Sequence, residues 1–462
     1  MRLLLIELSH ALDQEKSRFA SKTAQSNEIF KVSKAQTPFG VHSNYRFIDP
    51  YPIYFRSGKG SRIRDADGNE YIDFNMGFGA LLAGHAHPVL VEALTKRIAE
   101  GSLLGFEFED SAKLANLLCQ RFGLQMVRFS NTGAEATMHA LRFARAVTRR
   151  KKTLKFEGCY HGSHDQLLVS VKPSIEKAGD ARFPNSVPAS EGVPQEILQN
   201  TIVAPFNNLE AVEQLMGRHR GEVAAVILEP IPMNMGFVPP GTGFLEGLRE
   251  ICDHHDSVLI FDEIKTCGKF YGGASKHYGV VPDLMILGKA IAGGLPLSAI
   301  GGKSEIMEKI APGVLAHAGT FNSNPLCIEA GLVSLGRILT EEAMNHASEL
   351  GEKLAKEYRD VIHDAKLQAR VQAIGLSGTI LFTDRDVADW RSFLRCSVGK
   401  WFSYYLSMLN RQVIPSGTGS DEQWTVSVQH TKGDIEKNVQ AFKEVADIIR
   451  RFDESMPVVE AI

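Results

Sequence analysis

Val258-Leu-Ile-Phe-Asp262-Glu263 and Leu284-Met-Ile-Leu-Gly288-Lys289-Ala-Ile-Ala-Gly293-Gly294-Leu-Pro296 decide how this chain folds. Each opens as a near-continuous run of Val, Leu, Ile, Met or Phe, as expected of a strand buried on both faces. The first run ends in two carboxylates, the second in one lysine among Gly and Ala. In open α/β sheets ligands bind beyond the carboxyl ends of the strands. A carboxylate there is desolvated, which is costly unless a cation or a donor faces it. The alternative is a helix N-cap or a solvated strand end. Small neighbours around Lys289 leave room for a ligand, and apolar surroundings favour the neutral amine that a Schiff base requires. The alternative there is an ordinary lysine snorkelling from a glycine-rich turn. Asp262 and Lys289 are 27 positions apart. That is one helix plus one strand, so both emerge at the same edge of a sheet.

Working outward, apolar strands alternate with helical stretches from about residue 125 to 302. Candidate strands are Met126–Ser130, Thr153–Phe156, Val223–Leu228, Val258–Asp262, Leu284–Leu287 and Ser298–Gly301. Candidate helices Ala134–Val147 and Gly243–His254 lie between them. This order implies an open, mostly parallel α/β sheet. Gly58 to Phe74 reads as a hairpin about an Asp67-Gly68 turn. Residues 1–45 read as a helix and an irregular arm. After Pro325 a helix over Ile328–Leu339, further helices and short strands at Gly378–Phe382 and Trp424–Val428 suggest a smaller α+β domain. Residues 172–195, rich in Pro, Ser, Gly and charge, read as a mobile loop. The expected division is 1–88 for arm and hairpin, 89–326 for the large domain and 327–462 for the small one.

The 462 residues are 44% hydrophobic and 23% charged, enough for a sizeable core. With 51 basic against 54 acidic residues the net charge is −3, which argues against nucleic acid or a polybasic membrane surface as the main partner. No apolar run approaches the roughly 18 residues of a membrane span. The opening Met-Arg-Leu-Leu-Leu-Ile-Glu-Leu is too short for a signal-peptide core. Six scattered cysteines, Cys119, Cys159, Cys252, Cys267, Cys327 and Cys396, read as reduced thiols of a cytoplasmic protein.

Two further stretches carry chemistry. Phe129-Ser-Asn131-Thr132-Gly133-Ala134-Glu135-Ala136 leads into a helix whose free N–H groups, with a hydroxyl and a glycine, form a phosphate cradle. It reads equally as a helix capped by Thr132 with Glu135 completing a capping box, and both readings can hold together. Cys159-Tyr160-His161-Gly162-Ser-His164-Asp165 offers an aromatic after a strand, suited to stacking on a flat cofactor ring. His161, His164 and Asp165 also resemble metal ligands, as do His85-x-His87 and His254-His255, but none has a partner at a zinc-site spacing, so no metal is expected. A Schiff-base lysine, a strand-end aspartate, a phosphate cradle and a stacking aromatic together are the parts of a pyridoxal phosphate site.

The chain resembles the class III pyridoxal-phosphate aminotransferases of fold type I, in their branch of glutamate-1-semialdehyde aminomutases and β-amino-acid aminotransferases. The resemblance runs from about Thr37 to Ile449. It rests on Gly77-Phe-Gly-Ala-Leu-Leu-Ala-Gly-His-Ala-His-Pro88, Asn131-Thr-Gly-Ala-Glu-Ala, Tyr160-His-Gly162, Ala204-Pro-Phe-Asn207-Asn-Leu-Glu, Glu229-Pro-Ile-Pro-Met-Asn-Met-Gly, Phe261-Asp-Glu-Ile264, Leu287-Gly-Lys-Ala-Ile-Ala-Gly-Gly-Leu-Pro296 and His317-Ala-Gly-Thr-Phe-Asn-Ser-Asn-Pro325. It implies a large domain with a mostly parallel seven-stranded sheet plus a smaller α+β domain. It makes Lys289 the Schiff-base lysine and Asp262 the partner of the cofactor's pyridine nitrogen. Ile264 would lie beneath the ring and Tyr160, with His161, against its other side. Thr132, Gly133 and Ala134 would hold the phosphate, and Gly319 and Thr320 would reach it from the neighbouring subunit of a homodimer. Asn207 and Glu229 would stand near the ring hydroxyl. The arm Thr37-Pro-Phe-Gly-Val-His-Ser43-Asn-Tyr-Arg46 resembles one whose serine and arginine hold a substrate carboxylate, with Phe78 also in the substrate region. Three positions depart from the aminomutase pattern. Ala134 replaces a second phosphate-loop hydroxyl, Phe78 replaces a tryptophan, and in Ser420-Asp-Glu-Gln-Trp only Glu422 matches the expected glutamate.

The expected activity is therefore ping-pong transfer of an amino group from an amino acid, β-amino acids among the candidates, to a keto acid. The first alternative is a 2,1-aminomutase, in which one substrate is donor and acceptor. The alternative of another class is a non-catalytic binding protein of the same fold, which would need neither Lys289 nor Asp262.

Overall fold

The computed structural model describes residues 2–450. The chain divides into two compact units. One takes the described residues up to His87, Asn345–Asp386 and those from Arg395 on; the other takes Pro88–Met344 and Val387–Leu394.

The unit built on Pro88–Met344 carries a seven-stranded sheet. In chain order its strands are β1 (Met126–Ser130), β2 (Lys152–Phe156), β3 (Thr201–Ala204), β4 (Val223–Leu228), β5 (Val258–Asp262), β6 (Leu284–Leu287) and β7 (Ser298–Gly302). Their spatial order is β1-β7-β6-β5-β4-β2-β3. Every pairing from β6 to β3 is parallel, while β7 runs antiparallel to both β6 and β1. The six strands expected from apolar runs are all present. The seventh, β3, is only four residues long and follows a short helix, Gln195–Gln199, so it lacks the longer run that marks its neighbours. Every residue of β4, β5 and β6 is buried, as sheet faces covered on both sides require. The Gly133–Thr148 helix packs Ala136, Ala140, Leu141, Phe143 and Ala144 onto Ala225, Ile227, Ile260, Ile286 and Ile300. The helix expected over Ile328–Leu339 begins at Pro325, capped by Asn324, and after Val333 widens into a π-turn over Ser334–Ile338. Within the stretch expected to be loop, Pro188 bridges back to Val169 just before it, and Ile175–Ala178 forms one helical turn.

In the other unit the expected hairpin is three-stranded, Phe55–Lys59, Arg62–Asp65 and Glu70–Asp73. A late strand, Val413–Ile414, pairs in parallel with Glu70–Asp73 and so ties the early residues to the C-terminal ones. Arg370–Ile374, Ser377–Leu381 and Trp424–Thr425 form a second, antiparallel sheet. Its core includes Tyr358, Tyr404, Trp424 and Phe442, whose rings meet edge to face. The early residues hold two helices, Arg2–Lys22 and Ala24–Gln36, before the arm. Among the described residues no helix is long and apolar enough to cross a membrane.

Candidate active site

Asp262 is the last residue of β5, and its side chain is buried between two neighbours. Its Oδ2 lies 2.8 Å from His161 Nδ1, and its Oδ1 accepts from the Ile264 amide at 3.1 Å. His161 is fully buried, and burial lowers its pKa against the pull of Asp262. A neutral imidazole facing a carboxylate carries its proton on Nδ1, so His161 donates to Asp262 and leaves Nε2 buried and unpartnered. The adjacent carboxylate behaves differently. Glu263 accepts from the amides of Ala274 and Ser275, at 2.6 and 2.7 Å, and from the Thr266 hydroxyl. It therefore caps the Gly273–Tyr278 helix, with burial pushing its pKa up to about 7. Of the two strand-end carboxylates, one takes the structural role and the other faces the site.

β6 lies beside β5, with Asp262 opposite Ile286. Gly288 continues β6 in extended conformation, and Lys289 opens a 3-10 turn, Lys289–Ala292, with a φ of +47°. Asp262 and Lys289 thus leave the same edge of adjacent strands, as their spacing implied. Ile264 sits between them and the helix start. A Cβ on Gly133 would come 2.3 Å from Ile264 Cδ1, and one on Gly288 3.4 Å from Ile264 Cγ1. Glycine at 133 is what lets the helix approach that closely.

The Gly133–Thr148 helix is capped by Thr132, whose hydroxyl accepts from the Glu135 amide at 3.2 Å. Glu135 reaches past the cap to the Asn131 amide at 2.8 Å, so the expected box closes on the preceding residue. From β7, Ser298 Oγ donates to Thr132 O at 2.7 Å and braces the turn. The Tyr160–Gly162 turn packs on the same helix. A Cβ on Gly162 would meet Ala134 Cα at 2.6 Å, and Thr137 Oγ1 donates to His161 O at 2.6 Å. The Tyr160 amide donates to Glu229 Oε1 at 3.0 Å. Glu229, at the end of β4, is buried, and desolvation pushes its pKa up to about 7 against the charge of Lys265. The shape and donor set fit pyridoxal phosphate: free amides of a helix start, a strand-end carboxylate backed by a histidine, and a lysine one strand away.

Asn207 has partners of its own. It follows β3, the edge strand, three strands from β5, about 14 Å at sheet spacing. Its carboxamide is engaged with Gly241 N, Pro239 O and Ala388 O. Asn234, in the loop after β4, is buried. Gly319 and Thr320 are exposed, on a segment whose flanks are tied to β1 by Ser130 Oγ–His317 Nε2 (3.1 Å) and Asn131 Nδ2–Asn322 Oδ1 (3.2 Å). The histidines raised as ligands have other partners: His164 Nε2 meets Thr137 Oγ1, and His85 Nε2 meets Asp73. Among the described residues one group of three could gather about an ion, Glu213, His254 and His255, with His255 Nε2 3.1 Å from Glu213 Oε1.

In the other unit the arm runs beside Phe78. Tyr45, between Ser43 and Arg46, lies 6.5 Å from the Phe78 ring by centroids. A Cβ on Gly417 would come 2.9 Å from Glu422 Cβ and 3.0 Å from Phe78 Cδ1, and the Thr418 hydroxyl donates to Tyr45 O. The arm, Phe78 and the Gly417–Glu422 loop therefore form one cluster, with Arg46 exposed and Glu422 buried.

The family described as "Aminotransferase class-III" matches residues 46–398. The glutamate-1-semialdehyde 2,1-aminomutase of Methanopyrus kandleri is 39% identical over 426 residues, 92% of this chain and 97% of its own. Among solved structures, an omega-transaminase from Sphaerobacter thermophilus superposes with a TM-score of 0.88 at 35% identity, covering 92% of this chain and 98% of its own. A transaminase with pyridoxal phosphate bound gives 0.85 at 30% identity, covering 92% and 98%.

Proposed function

The chain belongs to the class-III aminotransferase family of pyridoxal-phosphate enzymes, and on that premise we propose that it transfers an amino group between an amino acid and a keto acid by a ping-pong mechanism. The observation that carries this reading is the placement of Lys289 and Asp262 at one edge of adjacent strands, facing the glycine-shaped helix start. Bound there, pyridoxal phosphate supplies a ring that accepts the electrons left when a substrate Cα loses its proton.

The rest is the work of the chain. The amides at Thr132, Gly133 and Ala134 hold the phosphate, with the helix start adding a favourable field. Asp262 Oδ holds a proton on the ring nitrogen, and His161 keeps Asp262 in place. Ile264 and Tyr160 bracket the ring. Lys289 Nζ would hold the cofactor and would carry the substrate's Cα proton. Ser43 and Arg46 bind the donor's carboxylate, with Phe78 beside the side chain. Glu229 anchors the turn bearing Tyr160. Gly319 and Thr320 complete the phosphate site of the other subunit in a homodimer; their exposure supports this role. Six cysteines free of disulfides support a cytoplasmic setting.

A second reading is a 2,1-aminomutase, favoured by relatives bearing that name. A keto-acid requirement separates the two. The aminotransferase stops after one half-reaction without acceptor, whereas the mutase turns over unaided. Borohydride reduction of the loaded protein should label Lys289 alone. A label on another lysine defeats both readings.

A further inference from the structure

Lys155 lies within β2, which has sheet neighbours on both sides, and its side chain is wholly buried. A lysine buried this deeply must find partners or lose its proton. Its ammonium donates to two main-chain carbonyls, Cys159 O at 2.9 Å and Val169 O at 2.5 Å. The first carbonyl immediately precedes Tyr160. The second belongs to the segment that bridges to Pro188. Burial pulls the lysine's pKa down to about 8, against the carboxylates of Glu229 and Glu157. Glu157 is already paired with Arg391, at 2.9 and 3.1 Å.

The turn that Lys155 holds is the one the site depends on. The Gly158 amide donates to Ser170 O, the Tyr160 amide to Glu229, and Thr137 donates to His161 O, while His161 faces Asp262. Each bond fixes one point of Gly158–His161. Lys155 fixes the point between them and is the cation among these partners. Two carbonyls converging on one spot need a donor with several N–H groups, and an ammonium supplies three.

We propose that Lys155 is a positioning residue of the cofactor centre, clamping Cys159 O to Val169 O so that Tyr160 meets Glu229 and His161 meets Asp262. The inference rests on reading that centre as a pyridoxal-phosphate site. Lys155 touches no reacting atom in this scheme; it acts through the turn and through its charge. Removing it loosens the turn and withdraws a positive charge from beside Glu229 and His161.

The test compares Lys155→Met, Lys155→Gln and Lys155→Arg with wild type. The readouts are the equilibrium affinity for pyridoxal phosphate and the pH midpoint of the bound cofactor's absorbance, with the melting temperature of the cofactor-free form as a control. Lys155→Met should bind about 10- to 100-fold more weakly, the range for losing charge-assisted bonds. It should also move the pH midpoint, and Lys155→Arg should restore much of both. A merely structural role would lower the melting temperature and leave the midpoint in place. If Lys155→Met does not fold, Lys155→Gln, a neutral donor, carries the same comparison. Folded Met or Gln variants with wild-type affinity and midpoint overturn the proposal. Failure of wild type itself to take pyridoxal phosphate onto Lys289 would instead overturn the reading of the site.

Discussion

Substituting Gly162 by alanine tests how closely the Tyr160 turn must sit on the helix start. The residue has a φ of +100°, where a side chain is strained by about 1–3 kcal/mol. Its new Cβ would lie 2.6 Å from Ala134 Cα and 2.7 Å from Ala134 Cβ. Carbon contacts settle at about 3.5–4.0 Å, so the turn must retreat by about 1 Å. Neither neighbour can rotate away, because both are fixed by the helix backbone. Overpacking of this kind costs about 1–3 kcal/mol, for a total of about 2–6 kcal/mol. In a unit of this size that lowers the melting temperature by roughly 5–15 °C. Gly192→Ala is the matched control. It has a φ of +90° with nothing within 4 Å, so it carries the strain without the collision. The difference between the two variants isolates the packing contribution. The same retreat lengthens the 2.6 Å Thr137–His161 and 2.8 Å His161–Asp262 bonds. Cofactor titration should therefore show weaker binding in Gly162→Ala and none of that loss in Gly192→Ala. Equal melting temperatures and affinities in the two variants would refute the close packing of turn on helix.

Three further outcomes are expected. In Asp262→Asn the fold should persist, because His161 can shift its proton to Nε2 and accept from the new amide, yet Cα-proton loss followed by stopped-flow should slow by several orders of magnitude; a near-normal rate would place the ring elsewhere. Arg46→Ala should lower kcat/KM for an amino acid about 30- to several-thousand-fold while sparing its decarboxylated amine, and Arg46→Lys should recover only part; equal losses for both donors would make Arg46 structural. His164 is held down to about 4, burial being the main cause, against an ordinary 6.5. Below about pH 6.5 the unfolded chain therefore binds the extra proton, and stability drains as pH falls toward 4. His164→Gln should blunt this acid loss by up to about 3 kcal/mol in denaturant melts, and parallel acid limbs would discard the assignment.

Sheet strands with four or more consecutive apolar residues, β4, β5 and β6, were legible because burial on both faces leaves no polar position. β3 and Arg370–Ile374 were not, since one opens on Thr201 and leaves three apolar residues and the other alternates Gln372 among partly buried neighbours. Asp262 and Lys289 could be found from spacing alone, because one helix-plus-strand unit returns the chain to the same sheet edge. Spacing could not divide labour between Asp262 and Glu263; that depends on the Ala274 and Ser275 amides, which a later turn delivers. Asn207 shows another limit of the sequence. A matched motif fixed the residue type but not its strand's place in the sheet, and the edge position of β3 carries it away. Lys155 carries a signal of its own, because a lysine inside a strand covered on both faces must find partners.

The antiparallel course of β7 also has a consequence for synthesis. β1 leads into the Thr132 turn, lies at the sheet margin, and pairs only with β7 among the described strands. Ser130 is thus made early but waits for Ser298, its partner in the ladder and the brace of Thr132. At ribosomal speeds of about 5–20 residues per second, that wait is on the order of ten seconds or more. Through it the strand and the apolar face of the Gly133–Thr148 helix lack part of their cover. The turn leading into that helix is therefore completed only after Gly302 has left the ribosome.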